Sequence, residues 1–174
     1  MKTLRREEGF GVFNVFWNEM QKEWLKVETL QDYSGEEEFP SLQVWLSGDK
    51  GRALALMEGE SSESEWGRML KSKNVTKTRI HIVQKPYSPY LEWELEAYRR
   101  TNIPAGEKIY IVNSESVVPL QIPDFFIFDN ERAIESKYDS SGRVESMNIY
   151  DRGENIEKFL NYKKELLKVA EPFR

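Results

Sequence analysis

The chain has 174 residues, with 25 Lys+Arg against 30 Asp+Glu, one His and no Cys. That length suits one domain with its own core, and the lack of Cys excludes disulfides, thiolate zinc sites and Cys nucleophiles. The formal net charge of −5 argues against a duplex-DNA binder, whose affinity rests on Lys and Arg neutralising phosphates.

A charged fraction of 32% beside 13% aromatic residues describes a globular domain rather than a disordered tail. No stretch is apolar over the roughly 20 residues a membrane helix needs. Met1 to Glu8 is basic and then acidic with no apolar stretch behind it, so no secretory signal is expected and the cytoplasm is the expected compartment.

Phe13, Phe16, Trp17 and Met20 fall at i, i+3, i+4 and i+7 and predict a helix. Trp24 to Leu30, with Leu25 and Val27 alternating against polar neighbours, reads as a half-buried strand. Pro40 opens a short helix carrying Leu42, Trp45 and Leu46 to a stop at Gly48. Residues 49–59 are ambiguous, and Ser61 to Glu65 offers caps for a helix through Trp66, Met69 and Leu70.

Arg79 to Val83 is a compact strand, and Ser88-Pro89 an N-cap followed by proline at the first helical position. The helix behind it places Leu91, Leu95 and Tyr98 on one side. Pro104 and Gly106 close it, and Lys108 to Val112 is the next strand. Strand, helix and strand in about 35 residues have the length and order of a parallel crossover.

Phe125 to Phe128 is too uniformly apolar for a half-exposed strand and belongs mid-sheet. Turn residues at Asp129-Asn130-Glu131 and Ser140-Ser141-Gly142 divide 125–150 into a three-stranded meander. A last helix near 153–170 aligns Ile156, Phe159, Leu160, Leu167 and Ala170. The expected fold is α/β, with α+β as the alternative. It is one domain over 1–174 with a mixed sheet, a mainly helical part at 10–75 and an α/β core at 78–174.

His81 is the only histidine, and Ile80 and Ile82 should face away from it. A lone strand histidine is more often packed than catalytic, and one His cannot build a histidine-rich metal site. A carboxylate site for a hard cation from Asp124, Asp129 and Glu131 competes with ordinary turn chemistry at the same residues; no metal and no cofactor is expected. No phosphate-cradling glycine loop and no serine-nucleophile signature occurs.

Glu92, Glu94, Glu96, Arg99 and Arg100 form a charged helix face. Glu94 alone leans toward the apolar side shared by Tyr90 and Tyr98, where a carboxylate needs a partner. Lys85, Arg79 and Arg99 are candidates. Lys71, Lys73, Lys77 and Arg79 make one small basic run, which ordinary solvation explains. Trp93 falls outside the Leu91, Leu95, Tyr98 stripe and is the best candidate for an exposed interface anchor.

Leu25 to Tyr33, Tyr90 to Leu95, Asn102 to Glu107 and Pro123 to Asp129 together resemble an uncharacterised bacterial domain family. That family is abundant in actinomycetes and often encoded beside helix-turn-helix regulators. The resemblance runs from about residue 10 to Ala170-Glu171-Pro172-Phe173 and implies no established activity. Its regulator-neighbour habit supports a helix-turn-helix regulator protein as a candidate partner, with a small ligand as the other candidate.

The element order from 79 onward also resembles one half of a phospholipase D-type domain, whose enzymes use H-x-K-x-x-x-x-D. With Asp129 at the motif Asp, Ile122 stands at the His position and Asp124 at the Lys position. Neither can do that work, so the resemblance implies that phosphodiesterase chemistry has been lost.

The expected function is therefore a non-catalytic regulatory or interaction domain, with a divergent phosphodiesterase or hydrolase as the alternative. Direct nucleic-acid binding and membrane insertion are not expected. The candidate ligand or partner residues are Tyr90, Trp93, Glu94, Asn102, Glu107, Asp124 and Asp129, placed at strand ends or on one helix face. For Asn102 and Glu107, shaping the turn around Pro104-Ala105-Gly106 is the competing explanation.

Overall fold

The computed structural model of the chain describes residues 1–35, 39–63, 65–118 and 120–174. Eight strands form one mixed sheet: β1 (Lys2–Arg5), β2 (Glu23–Glu28), β3 (Thr76–Val83), β4 (Glu107–Asn113), β5 (Phe125–Phe128), β6 (Arg132–Tyr138), β7 (Val144–Tyr150) and β8 (Glu171–Pro172). Their order is β1-β7-β6-β5-β2-β3-β4-β8. The pairs β2/β3 and β3/β4 are parallel, and all the others are antiparallel. The expected α/β class, single domain and meander are all present. No helix among the described residues is long and apolar enough to cross a membrane.

Among the described residues the α-helices are α1 (Arg6–Glu19), α2 (Pro40–Leu46), α3 (Lys50–Glu63), α4 (Glu65–Lys71), α5 (Pro89–Ala97) and α6 (Glu157–Val169). The stretch left ambiguous in sequence belongs to α3, whose first turn is tied down by Asp49 accepting from the Arg52 amide at 3.1 Å. Of the caps expected at 61–65, Ser64 lies outside the described residues. The backbone of Ser61 and Ser62 lies inside α3.

At α5 the expected cap is present: the Ser88 hydroxyl accepts from the Leu91 amide at 3.0 Å. The helix then widens into a π-helical stretch, Tyr98–Asn102, closed by Ile103 donating to the Tyr98 carbonyl. Such widenings recur at functional sites. Asp129 and Asn130 both take positive φ, 54° and 58°, the conformation a tight hairpin between β5 and β6 requires.

Strand β2 differs from the half-buried strand expected. It lies between β5 and β3 and is covered on both sides. Leu25 and Val27 face α6, where they join Ile80, Ile82, Phe125, Ile127, Phe159 and Leu166. Trp24, Lys26 and Glu28 therefore point to the opposite face, by the two-residue period of a strand. There α1 packs Phe13, Phe16 and Trp17 against Trp24, Phe126 and Phe128. Further along, α5 packs Leu91 and Leu95 against Val83 and Ile109. Helices α2 and α3 lean on α5 through Leu42, Trp45, Met57, Tyr90 and Trp93. The mainly helical part at 10–75 thus contributes a central strand to the sheet, not a separate layer.

Two expectations about α6 and α5 need correction. Leu166, not Leu167, enters the core: it is fully buried, whereas Leu167 is 44% exposed. Trp93 is 4% exposed, donates to the Ser41 hydroxyl at 3.0 Å and packs on Phe39 and Tyr90. It is no exposed anchor, because α2 and α3 cover the second side of α5. Equilibrium urea unfolding should show Leu166→Ala losing about 2–5 kcal/mol, while Leu167→Ala stays within roughly 0.5 kcal/mol of the parent. Equal losses would refute this assignment of the α6 face.

Candidate functional site

On the sheet face opposite α6, charged side chains project from three adjacent strands, among them Lys26 and Glu28 from β2, Arg79 from β3 and Glu107 from β4. The register pairs Lys26 with Arg79 and Arg79 with Ile109. Glu28 and Glu107 therefore stand one same-face step away from Arg79 along the two neighbouring strands. The Arg79 guanidinium reaches both: Nη1 donates to the two Glu28 oxygens at 2.8 and 2.9 Å, and Nε to Glu107 Oε1 at 2.8 Å. Lys26 adds a contact to Glu28 at 2.5 Å, and Asn102 donates to Glu107 at 2.7 Å.

Burial alone would raise the Glu28 pKa. Arg79 first, and Lys26 after it, outweigh that effect and hold the carboxyl far below the usual carboxylate range. Burial likewise raises Tyr98 well above the ordinary tyrosine value, with Glu28 adding to the effect. Tyr98 therefore stays a donor and gives its proton to Glu28 at 2.7 Å.

His81 is fully buried beside this cluster. Its Nε2 lies 2.9 Å from the Leu30 carbonyl, which can only accept. Its Nδ1 lies 3.0 Å from the Tyr98 oxygen, whose one proton already goes to Glu28. Both ring nitrogens thus have hydrogen-bonding neighbours other than Glu94. One Glu94 oxygen, Oε2, lies 3.5 Å from Nδ1 and is buried without a hydrogen-bond partner. Burial pushes the Glu94 carboxyl up to about 7; His81 pulls against this, and Glu28 adds to it.

Above this floor lies a cavity of about 260 Å³, near the lower end of small-molecule sites. It opens where the packing of α1 against the sheet gives way to that of α5, and α3 and α4 bridge the gap. Lys26, Glu28, Arg79 and Glu94 border it together with the rings of Tyr33, Trp66, Tyr90, Trp93, Tyr98 and Tyr138. The Lys26 ammonium sits 5.3 Å from the Trp66 ring centroid and 5.6 Å from that of Phe126. The buried Ser136 is also on the wall.

Of the residues expected from sequence, Tyr90, Trp93, Glu94 and Asn102 line the cavity. Glu107 supports it from below through Arg79 and Asn102. Asp124 is a clasp: its carboxylate accepts from the Thr29 amide and hydroxyl at 2.8 and 2.5 Å, from Tyr33 at 2.5 Å and from Tyr138 at 3.1 Å. Burial raises its pKa, and those donors leave it little capacity for a ligand. Asp129 lies at the other end of β5 and accepts from the Gln21, Lys22 and Glu23 amides. It fastens the turn between α1 and β2 and has no part in the cavity. Asp124 and Asp129 thus cannot share a cation.

Among the described residues, Glu28, His81 and Glu94 offer atoms within 4.8 Å of one another. Glu28 is already held by Arg79, Lys26 and Tyr98, however, and two fixed cations there oppose a third. Of the three partners considered for Glu94, only Arg79 is near enough to act on it, and only through its field. Arg99 pairs with Glu96 instead. Two lysines of the small basic run are also spent internally: the Lys77 ammonium donates to the Leu70 and Lys73 carbonyls, and Lys73 to those of Asn18 and Met20.

Residues 11–174 match the model of a family described as a domain of unknown function, DUF6879. No curated protein matches the chain. Among solved structures, one similar in shape is TrmBL2, an archaeal chromatin protein whose structure is described as showing a novel mode of DNA binding. It superposes with a TM-score of 0.46 at 13% identity, covering 98% of this chain and 53% of that one. The chain thus spans about half the length of that protein.

The two glutamates impose opposite pH dependences. Glu28, with its depressed folded value, adds stability above its unfolded pKa that is lost as the medium turns acidic. Glu94 is raised from 4.5 to about 7, so the folded state binds the extra proton between those values and stability falls as pH rises across that window. Urea midpoints at pH 5 and pH 8 should therefore show Glu94→Gln gaining stability relative to the parent at the higher pH. A constant difference would show that Glu94 is not raised. Glu28→Gln leaves Arg79 half balanced and should cost about 3–5 kcal/mol near neutrality.

Proposed function

The chain belongs to the DUF6879 family, and we propose that it is a non-catalytic sensor domain that binds a small molecule in the cavity between the sheet and α5. The single observation carrying this reading is a cavity of about 260 Å³ whose polar wall includes Glu94, buried with one unpartnered oxygen. Proteins rarely leave such groups unpaired unless something else supplies the bond. Aromatic walls with a few convergent polar groups are the usual make-up of a ligand site.

The charges of the floor favour binding over turnover. Arg79, Glu28 and Glu107 satisfy one another. His81 has both ring nitrogens engaged by Leu30 and Tyr98. The phosphodiesterase alternative is weakened further by Ile122 and Asp124 at the motif's His and Lys positions. The likeness to half of a phospholipase D-type domain is kept as a proposal about ancestry, consistent with the mixed sheet and its crossover. A helix-turn-helix regulator as the recipient of the signal is likewise a proposal. It rests on the family resemblance alone, now that Trp93 is turned inward.

The test is a thermal-shift screen of the purified chain with a metabolite library. One compound class should raise Tm in proportion to the logarithm of its concentration. The effect should disappear in Ala97→Phe, which puts a ring into the cavity. Failure of the whole library, or stabilisation that survives the filled cavity, would sink the sensor reading.

A further inference from the structure

We propose that the ligand of this cavity is an organic cation, a metabolite-sized amine or amidine, whose N–H groups meet Glu94 and whose charge rests against the rings beside it. This deepens the sensor reading and depends on it.

The first ground is the state of Glu94. It is 8% exposed, it faces the cavity, and one oxygen has no donor. The groups around it come from several elements. His81 on β3 has the Leu30 carbonyl and the Tyr98 hydroxyl at its two ring nitrogens. Arg79 on β3 is engaged by Glu28 and Glu107. Lys26 and Glu28 on β2 pair with each other. Tyr90 and Tyr98 lie one turn before and after Glu94 on its own helix. Tyr98 donates to Glu28, not to Glu94. Every fixed cation within reach is thus committed elsewhere, and the carboxylate still lacks a hydrogen bond.

The second ground is the balance of the wall. Among the described lining residues, the carboxylates of Glu28, Glu60 and Glu94 face only the cations Lys26 and Arg79. Glu60 binds the Ser41 amide and hydroxyl, which are neutral and leave its charge in place. An incoming cation restores neutrality, whereas an anion adds to the excess.

The third ground is the rings. Tyr33, Tyr90 and Trp93 form a continuous aromatic corner, with centroids 6.4 and 5.5 Å apart in sequence. All three border the cavity beside Glu94. Aromatic faces attract desolvated cations, and the attraction strengthens where water is excluded. A carboxylate set into an aromatic corner therefore selects ammonium or amidinium over a neutral group of the same shape.

The experiment is isothermal titration of the full chain with 2-phenylethylammonium, tetramethylammonium, agmatine and benzamidinium chlorides at pH 8. The uncharged 2-phenylethanol serves as the isosteric control. At least one N–H cation should bind, and 2-phenylethanol should bind about tenfold or more weakly than 2-phenylethylammonium, the factor a charged hydrogen bond supplies. Glu94→Gln should lose the same factor while keeping the parent's circular dichroism and a cooperative melt. Lowering the pH to 5 should weaken binding to the parent and leave Glu94→Gln unchanged.

Equal affinity for 2-phenylethanol, or undiminished binding by Glu94→Gln, would overturn the cation assignment while leaving the cavity as a ligand site. Failure of all four cations would overturn it too. If the metabolite library also failed, the sensor reading would fall with it.

Discussion

The structure depends on one buried guanidinium. Arg79 sits mid-sheet at 4% exposure, where an unpaired charge is intolerable. Its two counter-charges come from the strands on either side. Each is offset by one same-face step along its own strand, so the three side chains meet only in the observed parallel register. A slip of one residue in β2 or β4 would turn Glu28 or Glu107 toward α6 and leave Arg79 unbalanced. The ion cluster therefore specifies the register of the parallel half of the sheet, which apolar strands alone would hold more loosely.

The cavity follows from that choice. Helices pack closely over apolar strands, as α6 does over Leu25, Val27, Ile80 and Ile82 on the other face. Over the charged rungs, which are buried and paired with one another, the covering side chains must also supply polar atoms to the carboxylates. There α1 covers the meander side and α5 the β3–β4 side. The gap between them is walled by aromatic residues that carry a polar edge. Tyr98 and Tyr33 illustrate the device: each ring closes the wall while its hydroxyl hydrogen-bonds to Glu28 or Asp124. Tyr98 opens the π-helical widening at the end of α5, the stretch that carries Asn102 to Glu107.

Much of this architecture is legible in the order of residues. Ser88-Pro89, the Phe125 to Phe128 run and the Asp129-Asn130 turn mark their elements because each signal is local, a cap or a turn or a uniform burial pattern. Glu94 is legible as an anomaly, a carboxylate on the apolar side of its helix. The other half of the site is not. Glu28 and Arg79 read as ordinary polar positions of alternating strands, because nothing local says that the face they occupy is roofed by a helix. His81 is noticed for being the only histidine, yet its role depends on Leu30 and Tyr98, 51 and 17 residues away in sequence. Asp124 and Asp129 look alike in sequence and differ entirely in place, since a four-residue strand separates a buried clasp from a surface turn.

What the amino-acid order by itself determined is the set of elements and their apolar faces, because hydrophobic period, caps and turn residues act over a few positions. It also determined which chemistries are absent, since residue types that are missing cannot react. What only the tertiary structure decided is which polar side chains become a site. Strand pairing brings Glu28, Arg79 and Glu107 onto one face. Helix packing then removes water from that face, and burial gives Glu94 its altered acidity. Each of these effects joins residues distant in sequence through space and solvent, neither of which a linear pattern records.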